Sequence, residues 1–377
     1  MIITRKIQVY VSEGDAGQRK DFIHTVYAWR DGVRRAANMI VAHKFVQQQA
    51  RDFVYIKDEI QEKFYVRDII KEGKGMSEQN TTYRVASAML KGKVPADIYS
   101  CLNQAVANTF KETVSDINAG KASVRSYKNN IPIPFSAKAL SNIHWDDTDK
   151  RFYFTLFGIP FACALGRDRS NNQSVIERCI SGEYKMCSSS LQIDDARKKM
   201  FLLLSVDMPK KEVELKEGKK LFAFLGVMNP IVCTTEVSAK WSYDSGMRCF
   251  EIGTKDEFNY RRRQIQEAVR RCQAESRYTE GGKGRRRKTQ AVERFRDKEK
   301  NYVDTKLHTY SRMLVDLAVK HGCSEIVLMR QESREEDAKE QNKDGEPFVL
   351  RNWSYYGLKQ KIEYKAKIYG IKLISER

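Results

Sequence analysis

Two groups of cations in the last third of the chain have the type and spacing that phosphate binding requires. Five arginines fall on one predicted helix, namely Arg261, Arg262, Arg263, Arg270 and Arg271. A second run follows a glycine-rich stretch and consists of Arg285, Arg286, Arg287 and Lys288. Guanidinium and ammonium groups bind phosphate oxygens, and this binding weakens as salt rises. Both runs are candidate nucleic-acid contacts, and the alternative for either run alone is a solvated charged face.

A further set of candidates combines cations with aromatic side chains in the middle of the chain. They are Arg125, Tyr127, Lys128, Tyr184, Lys185, Lys198 and Lys199. Such a mixture suits nucleic acid because bases stack on rings while cations hold the phosphates. The alternative for each tyrosine is a place in the core beneath a strand.

The overall charge favours the same class of partner. The 377 residues carry a formal net charge of +19, which suits a polyanion. An acidic membrane surface is the other candidate, but no apolar run is long enough to span a bilayer, so we expect no membrane partner. The first residues, MIITRKIQVYV, alternate like a strand and lack the apolar segment of a signal peptide. We therefore expect a cytoplasmic, nucleoid-associated bacterial protein.

The cysteines and histidines show no metal-binding pattern. The eight cysteines contain no CxxC pair, and the five histidines have no ligand spacing. Zinc ribbons need two close cysteine pairs, so we predict no structural zinc and reduced core thiols.

Hydrophobic periodicity divides the first half of the chain into a β domain and a helical insertion. Residues 1–20 and 120–212 are dominated by strand patterns, and residues 21–119 by helical spacing. We therefore predict an antiparallel β domain interrupted by a helical domain, with Trp29 in the core. The stretch SVIERCISGEYKMCSSSLQID is predicted to be strands.

A third domain is predicted over residues 213–377, after a charged linker. It begins with three antiparallel strands and a basic helix, followed by a loop over Thr279–Lys288 and a helix over Gln290–Lys320. A strand, an acidic loop over Gln331–Glu346, a helix and a last strand complete it. This order is typical of ribonuclease-H-like domains, although a fold alone never determines a function. The acidic loop is predicted to be solvated, with a protein docking site as the alternative.

Particular segments carry a family resemblance. The segments DKEKNYVDTKLHTYSRMLVDLAVKHGCSEIVL and NWSYYGLKQKIEYKAKIYGIKLI resemble the RuvC domain of the miniature type V-F CRISPR effectors, which are related to the transposon proteins called TnpB. ISGEY and SYKNNIP are similar to the β (wedge) domain of that family. The resemblance implies a multidomain α/β fold, in which a β-barrel-like wedge domain with an inserted helical recognition domain is followed by an RNase H-like (RuvC-type) domain.

The resemblance also identifies the positions at which the family holds its catalytic carboxylates. The first acid matches Phe224 in FAFLGV, and the second matches Met329 in IVLMRQ. The third lies beyond Arg377, as does the zinc ribbon, so both are expected to be missing. Phenylalanine and methionine offer no oxygen to Mg²⁺, which prefers oxygen ligands. We therefore expect no catalytic metal and no enzyme activity.

The function that the resemblance implies is RNA-guided DNA binding. Guide RNA and target double-stranded DNA are the expected partners, and an asymmetric homodimer would share one guide. The complex would recognise a short flanking motif, form an R-loop and regulate transcription, with a sigma factor recruiting RNA polymerase. One alternative is a repressor that blocks the promoter. Another is a nucleic-acid-binding remnant of a transposon protein that uses no guide.

Overall fold

A computed structural model describes residues 1–52, 77–166, 168, 171–195, 197–209, 212–225, 229–235, 249–277, 282–329 and 355–375. The chain divides into two units, Met1–Met208 and Pro209–Arg377. The predicted acidic loop over residues 331–346 lies outside the described residues. None of the helices in the described ranges has the length and apolar character of a membrane-spanning helix.

The first unit is built on one eight-stranded sheet. Its strands are β1 (Ile2–Val11), β2 (Ile133–Phe135), β3 (Leu140–Asp146), β4 (Arg151–Leu156), β5 (Ile159–Ala164), β6 (Lys185–Met186), β7 (Ser189–Asp194) and β8 (Lys199–Asp207). The order is β2-β7-β8-β1-β5-β4-β3, and β6 pairs with β8. Neighbouring strands are antiparallel, and β1 lies between β8, where Ile2 is opposite Asp207, and β5, where Val9 is opposite Cys163.

The alternation along β1 gives the sheet two different faces. Ile7, Val9 and Val11 are buried, whereas Lys6 and Tyr10 point to the opposite face and are exposed or half-buried. Successive side chains of a strand point to opposite faces, so this pattern reflects one apolar face and one polar face. We call the polar one the outer face.

Among the described residues, three helices separate β1 from the other strands in sequence: α1 (Ala16–Asp52), α2 (Glu78–Leu90) and α3 (Ala96–Asn118). Trp29 of α1 is 6% exposed and packs edge-on against Phe157 with ring centroids 5.7 Å apart, which confirms its predicted core position. Arg30 of α1 is buried as well, and its guanidinium donates to the Asp195 carboxylate at 2.7 Å.

One predicted strand is wrong, because residues 172–180 form helix α4 (Asn172–Ile180). Val175, Ile176 and Cys179 are its buried residues, at helical spacing. The carboxylate of Asp168 accepts hydrogen bonds from the backbone nitrogens of Asn172 and Gln173, both at 2.8 Å. A carboxylate at these otherwise unpaired amides stabilises a helix start.

The second unit contains a five-stranded sheet and three described helices. The strands are β9 (Lys216–Phe224), β10 (Ile231–Thr234), β11 (Phe250–Ile252), β12 (Cys323–Leu328) and β13 (Lys372–Ser375). The helices are α5 (Lys255–Arg277), α6 (Gly282–Lys320) and α7 (Tyr355–Ile368). The strand order is β11-β10-β9-β12-β13, with β12 parallel to both of its neighbours.

These elements confirm the prediction of a multidomain α/β fold, and they correct one boundary. Helix α6 begins at Gly282, so Arg285–Lys288 lie in a helix rather than in the predicted loop. The domain limits predicted from sequence, 1–20 with 120–212, 21–119, and 213–377, stay a prediction.

The core of the second unit lies between its sheet and helices α6 and α7. Leu314 from α6 and Ile362 from α7 are fully buried with Leu221 and Ile326 from the strands. Gly253, with φ of +77°, follows β11 where a Cβ atom would lie 2.6 Å from the ring of Tyr310. Only glycine fits this position, because both the backbone conformation and the close ring exclude a side chain.

Candidate nucleic-acid interface

The two positions that the resemblance assigns to catalytic carboxylates are neighbours in the structure. Phe224 ends β9, and Met329 follows β12, whose Leu328 is paired with Ala223. The backbone nitrogen of Met329 also donates to the carbonyl oxygen of Ala223 at 3.1 Å. The carboxyl ends of two parallel strands therefore bring these side chains to one edge of the sheet.

The residues at this edge do not fit the metal site that the resemblance implies. Neither Phe224 nor Met329 provides an oxygen ligand for Mg²⁺. Within the described ranges, no group of three or more histidine, cysteine, aspartate or glutamate residues could hold a metal ion.

The structure corrects the prediction for Arg262. Its side chain is 0% exposed, and its Nε atom lies 3.0 Å from Oε1 of Glu299 on α6. Its guanidinium also lies 5.4 Å from the ring of Phe258. A buried guanidinium paired in this way joins α5 to α6, so Arg262 is not available to a phosphate. The signal was in the sequence, because Phe258, Arg262 and Ile265 have the i, i+4, i+7 spacing of a buried helix face.

The other predicted arginines of α5 are exposed. Arg261 donates to Gln264 at 2.8 Å, and Arg271 lies 3.8 Å from Glu267 on the same helix. Arg263 and Arg270 are exposed as well. The side chains of Arg285, Arg286, Arg287 and Lys288 lie outside the described parts, although their backbone belongs to α6.

In the first unit, Arg125 and Tyr127 line a groove of about 510 Å³ between α3 and the strands β2 and β7. The Arg125 guanidinium lies 5.4 Å from the ring centroid of Tyr127. Asn38 of α1 fixes this segment, because its side chain accepts from the Tyr127 nitrogen at 2.8 Å and donates to the Tyr127 oxygen at 3.0 Å. Lys128 is exposed beside it.

The lining of this groove offers uncharged hydrogen-bonding groups. Gln104, Asn108 and Thr109 come from α3, and Ser188 and Ser190 come from the opposite wall. Amide and hydroxyl groups of this kind bond base edges as well as phosphates and sugars. The groove therefore combines one cation, one aromatic ring and several neutral donors and acceptors.

The remaining predicted residues of the first unit do not form one cluster. Lys185 is opposite Asp207 at one end of β8, whereas Lys198 and Lys199 stand at its other end. Eight residues of strand separate these ends, or roughly 25 Å. Tyr184 is corrected to a core residue, because it is 5% exposed and its hydroxyl bonds Arg178.

The outer face of the sheet contains a mixed set of cations and rings, of which only Lys199 was predicted from the sequence. Lys6 lies 4.4 Å from the ring of Phe201 and bonds Gln192 at 3.0 Å. Arg151 lies 5.7 Å from the ring of Tyr10. Lys199 belongs to the same face, since its Nζ donates to Gln8 at 2.9 Å.

Rings and cations therefore alternate over this surface, as they do in sheets that bind single-stranded nucleic acid. Next to Tyr10, Tyr153 stacks on His144 with centroids 5.7 Å apart, and the hydroxyl of Tyr153 donates to Asp149. This hydrogen bond, followed by burial, raises the pKa of Tyr153 to about 12, so its ring remains neutral and hydrogen-bonded. The period-two pattern Thr4, Lys6, Gln8, Tyr10 was the available sequence signal.

Comparison with known proteins gives two curated relatives and a similar solved structure. The CRISPR-associated endodeoxyribonuclease Cas12f1 of Sulfoacidibacillus thermotolerans is 29% identical over 278 residues, which are 70% of this chain and 62% of the relative. Cas12f1 of Syntrophomonas palmitatica is 26% identical over 281 residues, 72% of this chain and 52% of the relative. The cryo-EM structure of a Cas12f1–sgRNA–target DNA complex matches with a TM-score of 0.62 at 14% identity, covering 100% of this chain and 89% of that one. No family model matches.

The chain is homologous to the Cas12f1 proteins, the type V-F CRISPR effectors. It spans 62% and 52% of the length of the two curated relatives. The expectation that the chain is not an enzyme is contradicted, because both relatives are named endodeoxyribonucleases. That expectation rested on Phe224, on Met329 and on the third carboxylate that was expected to be missing, and it is withdrawn.

Proposed function

We propose that this chain binds a guide RNA and, through base pairing of that RNA, recognises double-stranded DNA. The observation that carries the proposal is the homology with Cas12f1, which extends over both units of the chain. In such effectors base pairing reads the target sequence, while the protein holds the duplex backbone and reads a short flanking motif. The positive charge of the chain supports the same partners.

Two surfaces of the first unit support the proposal. The outer face offers half-buried rings beside Lys6, Lys199 and Arg151, which suits unpaired bases and their phosphates. The groove at Arg125 and Tyr127 offers neutral donors and acceptors, which suits base edges of the flanking motif. We assign single-stranded RNA to the outer face and the flanking duplex to the groove.

We further propose that the complex is an asymmetric homodimer around one guide and that it acts on transcription where it binds a promoter. A sigma factor and RNA polymerase are the proposed partners. An R-loop on a promoter alternatively blocks polymerase, and a remnant of a transposon protein would bind nucleic acid without a guide. These finer proposals rest on the family resemblance of the sequence.

The first experiment purifies the full chain from cells that carry its native locus and sequences the RNA bound to it. We expect one discrete RNA with a constant scaffold and a variable end. Gel-shift assays then compare duplex DNA that matches the variable end with a scrambled duplex. A heterogeneous mixture of cellular RNA, or equal binding of both duplexes, would overturn the proposal of guided binding.

The same reactions with Mg²⁺ measure strand scission of the matched duplex. The proposal for transcription is tested separately, with a reporter whose promoter or upstream region matches the guide. Increased expression that requires the sigma-factor gene would support recruitment, and decreased expression would support promoter blocking. Unchanged expression at an occupied promoter would rule out both.

A further inference from the structure

A groove of about 700 Å³ lies between α6 and α7 in the second unit. Its lining residues are Arg296, Glu299, Lys300, Val303, Asp304, Leu307, Gly357, Gln360, Lys361 and Tyr364. This volume is within the usual range of small-molecule sites. None of the surfaces assigned above includes it.

The carboxylates of the groove already have cationic partners. Glu299 accepts from Arg262 and from Gln266, both at 3.0 Å. Asp304 lies 2.7 Å from Nζ of Lys361. The negative charges are therefore compensated from within the fold, and the groove does not repel an anion.

Two cations of the groove are left for a ligand. Arg296 and Lys300 are exposed, and among the described residues neither has a hydrogen bond or an ion pair. They are four residues apart on α6, so their side chains lie on one helix face, one turn apart. Neighbouring cations with no internal partner are suited to phosphate oxygens.

The floor and the far end of the groove are apolar and aromatic. Val303 and Leu307 contribute aliphatic surface, and Gly357 has no side chain to fill the space above it. Tyr364 is 36% exposed, and its ring centroid lies 6.4 Å from that of His308. A planar aromatic ligand group can pack between this floor and the tyrosine ring.

Hydrogen bonds among polar side chains of α6 and α7 fix one side of the groove. Nζ of Lys361 lies 2.9 Å from Nε2 of His308, and burial together with Lys361 and Lys365 lowers the pKa of that histidine. The neutral ring therefore accepts a hydrogen bond from Lys361. Lys365 lies deeper, where its Nζ donates to the His308 carbonyl at 2.5 Å and to Ser311 at 2.8 Å. Lys361 is thus held in place by His308 and Asp304, and its charge compensates that of Asp304.

We propose that this groove binds a nucleoside phosphate, with the base packed against Tyr364 and the phosphate bound by Lys300 and Arg296. Lys300 is eight residues from His308, the neighbour of Tyr364, or roughly 12 Å along the helix. Because the side chain of Lys300 is long, its Nζ atom can come closer to the Tyr364 ring than this distance along the helix. A nucleoside 5′-phosphate can span the remaining gap. The ligand is a free nucleotide or one nucleotide of a single strand, since both have this chemistry. The site needs no guide RNA, so it goes beyond the function proposed above.

The test uses the full chain without guide RNA, titrated with AMP, with adenosine and with a short single-stranded oligonucleotide. The variant R296A/K300A removes both free cations. The matched control R294A/K298A removes two other exposed cations of α6 with the same spacing and charge. Circular dichroism confirms that each variant is folded, and Y364L tests the ring without changing the charge.

We expect AMP or the oligonucleotide to bind R296A/K300A at least about tenfold more weakly than wild type, with little change in the control. Adenosine, which has no phosphate, should bind weakly to all of them. Binding of AMP would identify a free nucleotide, and binding of the oligonucleotide alone would identify a strand. Equal losses in R296A/K300A and R294A/K298A, or no binding of either probe, would overturn the proposal.

Discussion

Lys6 on the outer face and Arg262 between α5 and α6 have similar partners but different roles. Each lies beside a phenylalanine ring, with Lys6 4.4 Å from Phe201 and Arg262 5.4 Å from Phe258. Lys6 is exposed and bonds a neutral amide, whereas Arg262 is buried and bonds a carboxylate. The charge of Lys6 remains available to a ligand, while the charge of Arg262 is neutralised within the fold. The environment of a cation, rather than its residue type, therefore decides whether it can serve a nucleic-acid interface.

The largest expected effect follows from removing the buried cation. Arg262→Ala leaves the Glu299 carboxylate without its guanidinium partner, and breaking one side of a buried pair costs about 3–5 kcal/mol. Urea unfolding of the full chain should show this loss in the transition of the second unit. The exposed neighbour gives the control, since Arg261→Ala should change stability by less than about 0.5 kcal/mol. Equal effects of the two variants would show that Arg262 does not hold the helices together.

A smaller effect, of opposite sign, is expected at the buried cation Lys365. Burial, followed by the charges of Arg312 and Lys361, lowers the pKa of Lys365 to about 8. A lysine whose pKa is lower in the folded than in the unfolded state destabilises the fold below about pH 8. This cost disappears as pH rises toward the unfolded value of about 10.4. Lys365→Met should therefore stabilise the chain at pH 7, by on the order of 2 kcal/mol.

The measurement for Lys365→Met is urea unfolding of the variant and the wild type from pH 7 to pH 9.5. The advantage of the variant should shrink as pH rises, because the wild-type lysine loses its proton more easily when folded. A difference that is constant over this range would show that packing, and not the charge, distinguishes the two proteins. The exposed Lys367→Met is the control and should show no such trend.

A binding effect of about 1–2 kcal/mol is expected on the outer face. Phe201→Leu keeps an apolar side chain but removes the ring on which a base would stack, and stacking contributes about 1–3 kcal/mol per base. Affinity for single-stranded RNA, measured by fluorescence anisotropy, should fall without a change in unfolding midpoint. Phe250→Leu, at a half-buried phenylalanine of the other sheet, is the matched control. If both variants bind like wild type, the outer face is not the RNA surface.

The smallest effect is expected at a fully solvated pair. Arg271 and Glu267 lie 3.8 Å apart with side chains 76% and 65% exposed. Such a pair contributes at most about 0.5 kcal/mol, so Arg271→Ala should leave the urea midpoint nearly unchanged. The affinity of the Arg271→Ala variant for RNA should instead fall less steeply with salt concentration, by the amount expected for about one lost phosphate contact. A stability loss above about 1 kcal/mol would contradict the exposed position of Arg271.

The order of elements in the second unit could be predicted from sequence, because its strands and helices have distinct periods. The helix over 172–180 could not, since the β-branched residues Val175 and Ile176 imitate a strand. The contact that decides its start comes from Asp168, whose carboxylate bonds the amides of Asn172 and Gln173. A side chain that caps a helix through a turn leaves only a weak pattern in the sequence.

The candidate interface was predictable in composition but not in detail. Charge and aromatic content predicted a polyanion partner, yet Arg262 and Tyr184 are in the interior. Lys6 and Tyr10 of β1 were missed because the side chains beside them, Phe201 of β8 and Arg151 of β4, are far from β1 in sequence and come near it only through the order of strands in the sheet. Which strands pair depends on the whole sheet, so a short stretch of sequence cannot show which side chains will become neighbours.

The central position of β1 also has a consequence for protein synthesis. Ile2 pairs with Asp207, so the partner strand β8 is translated about 200 residues after β1. At about 5–20 residues per second, roughly 10–40 s pass between the two strands. Helices α1 to α3 have emerged by then and can form through local contacts. Until β8 arrives, one edge of β1 stays open on the ribosome, and an open strand edge of this kind is a natural target for chaperones.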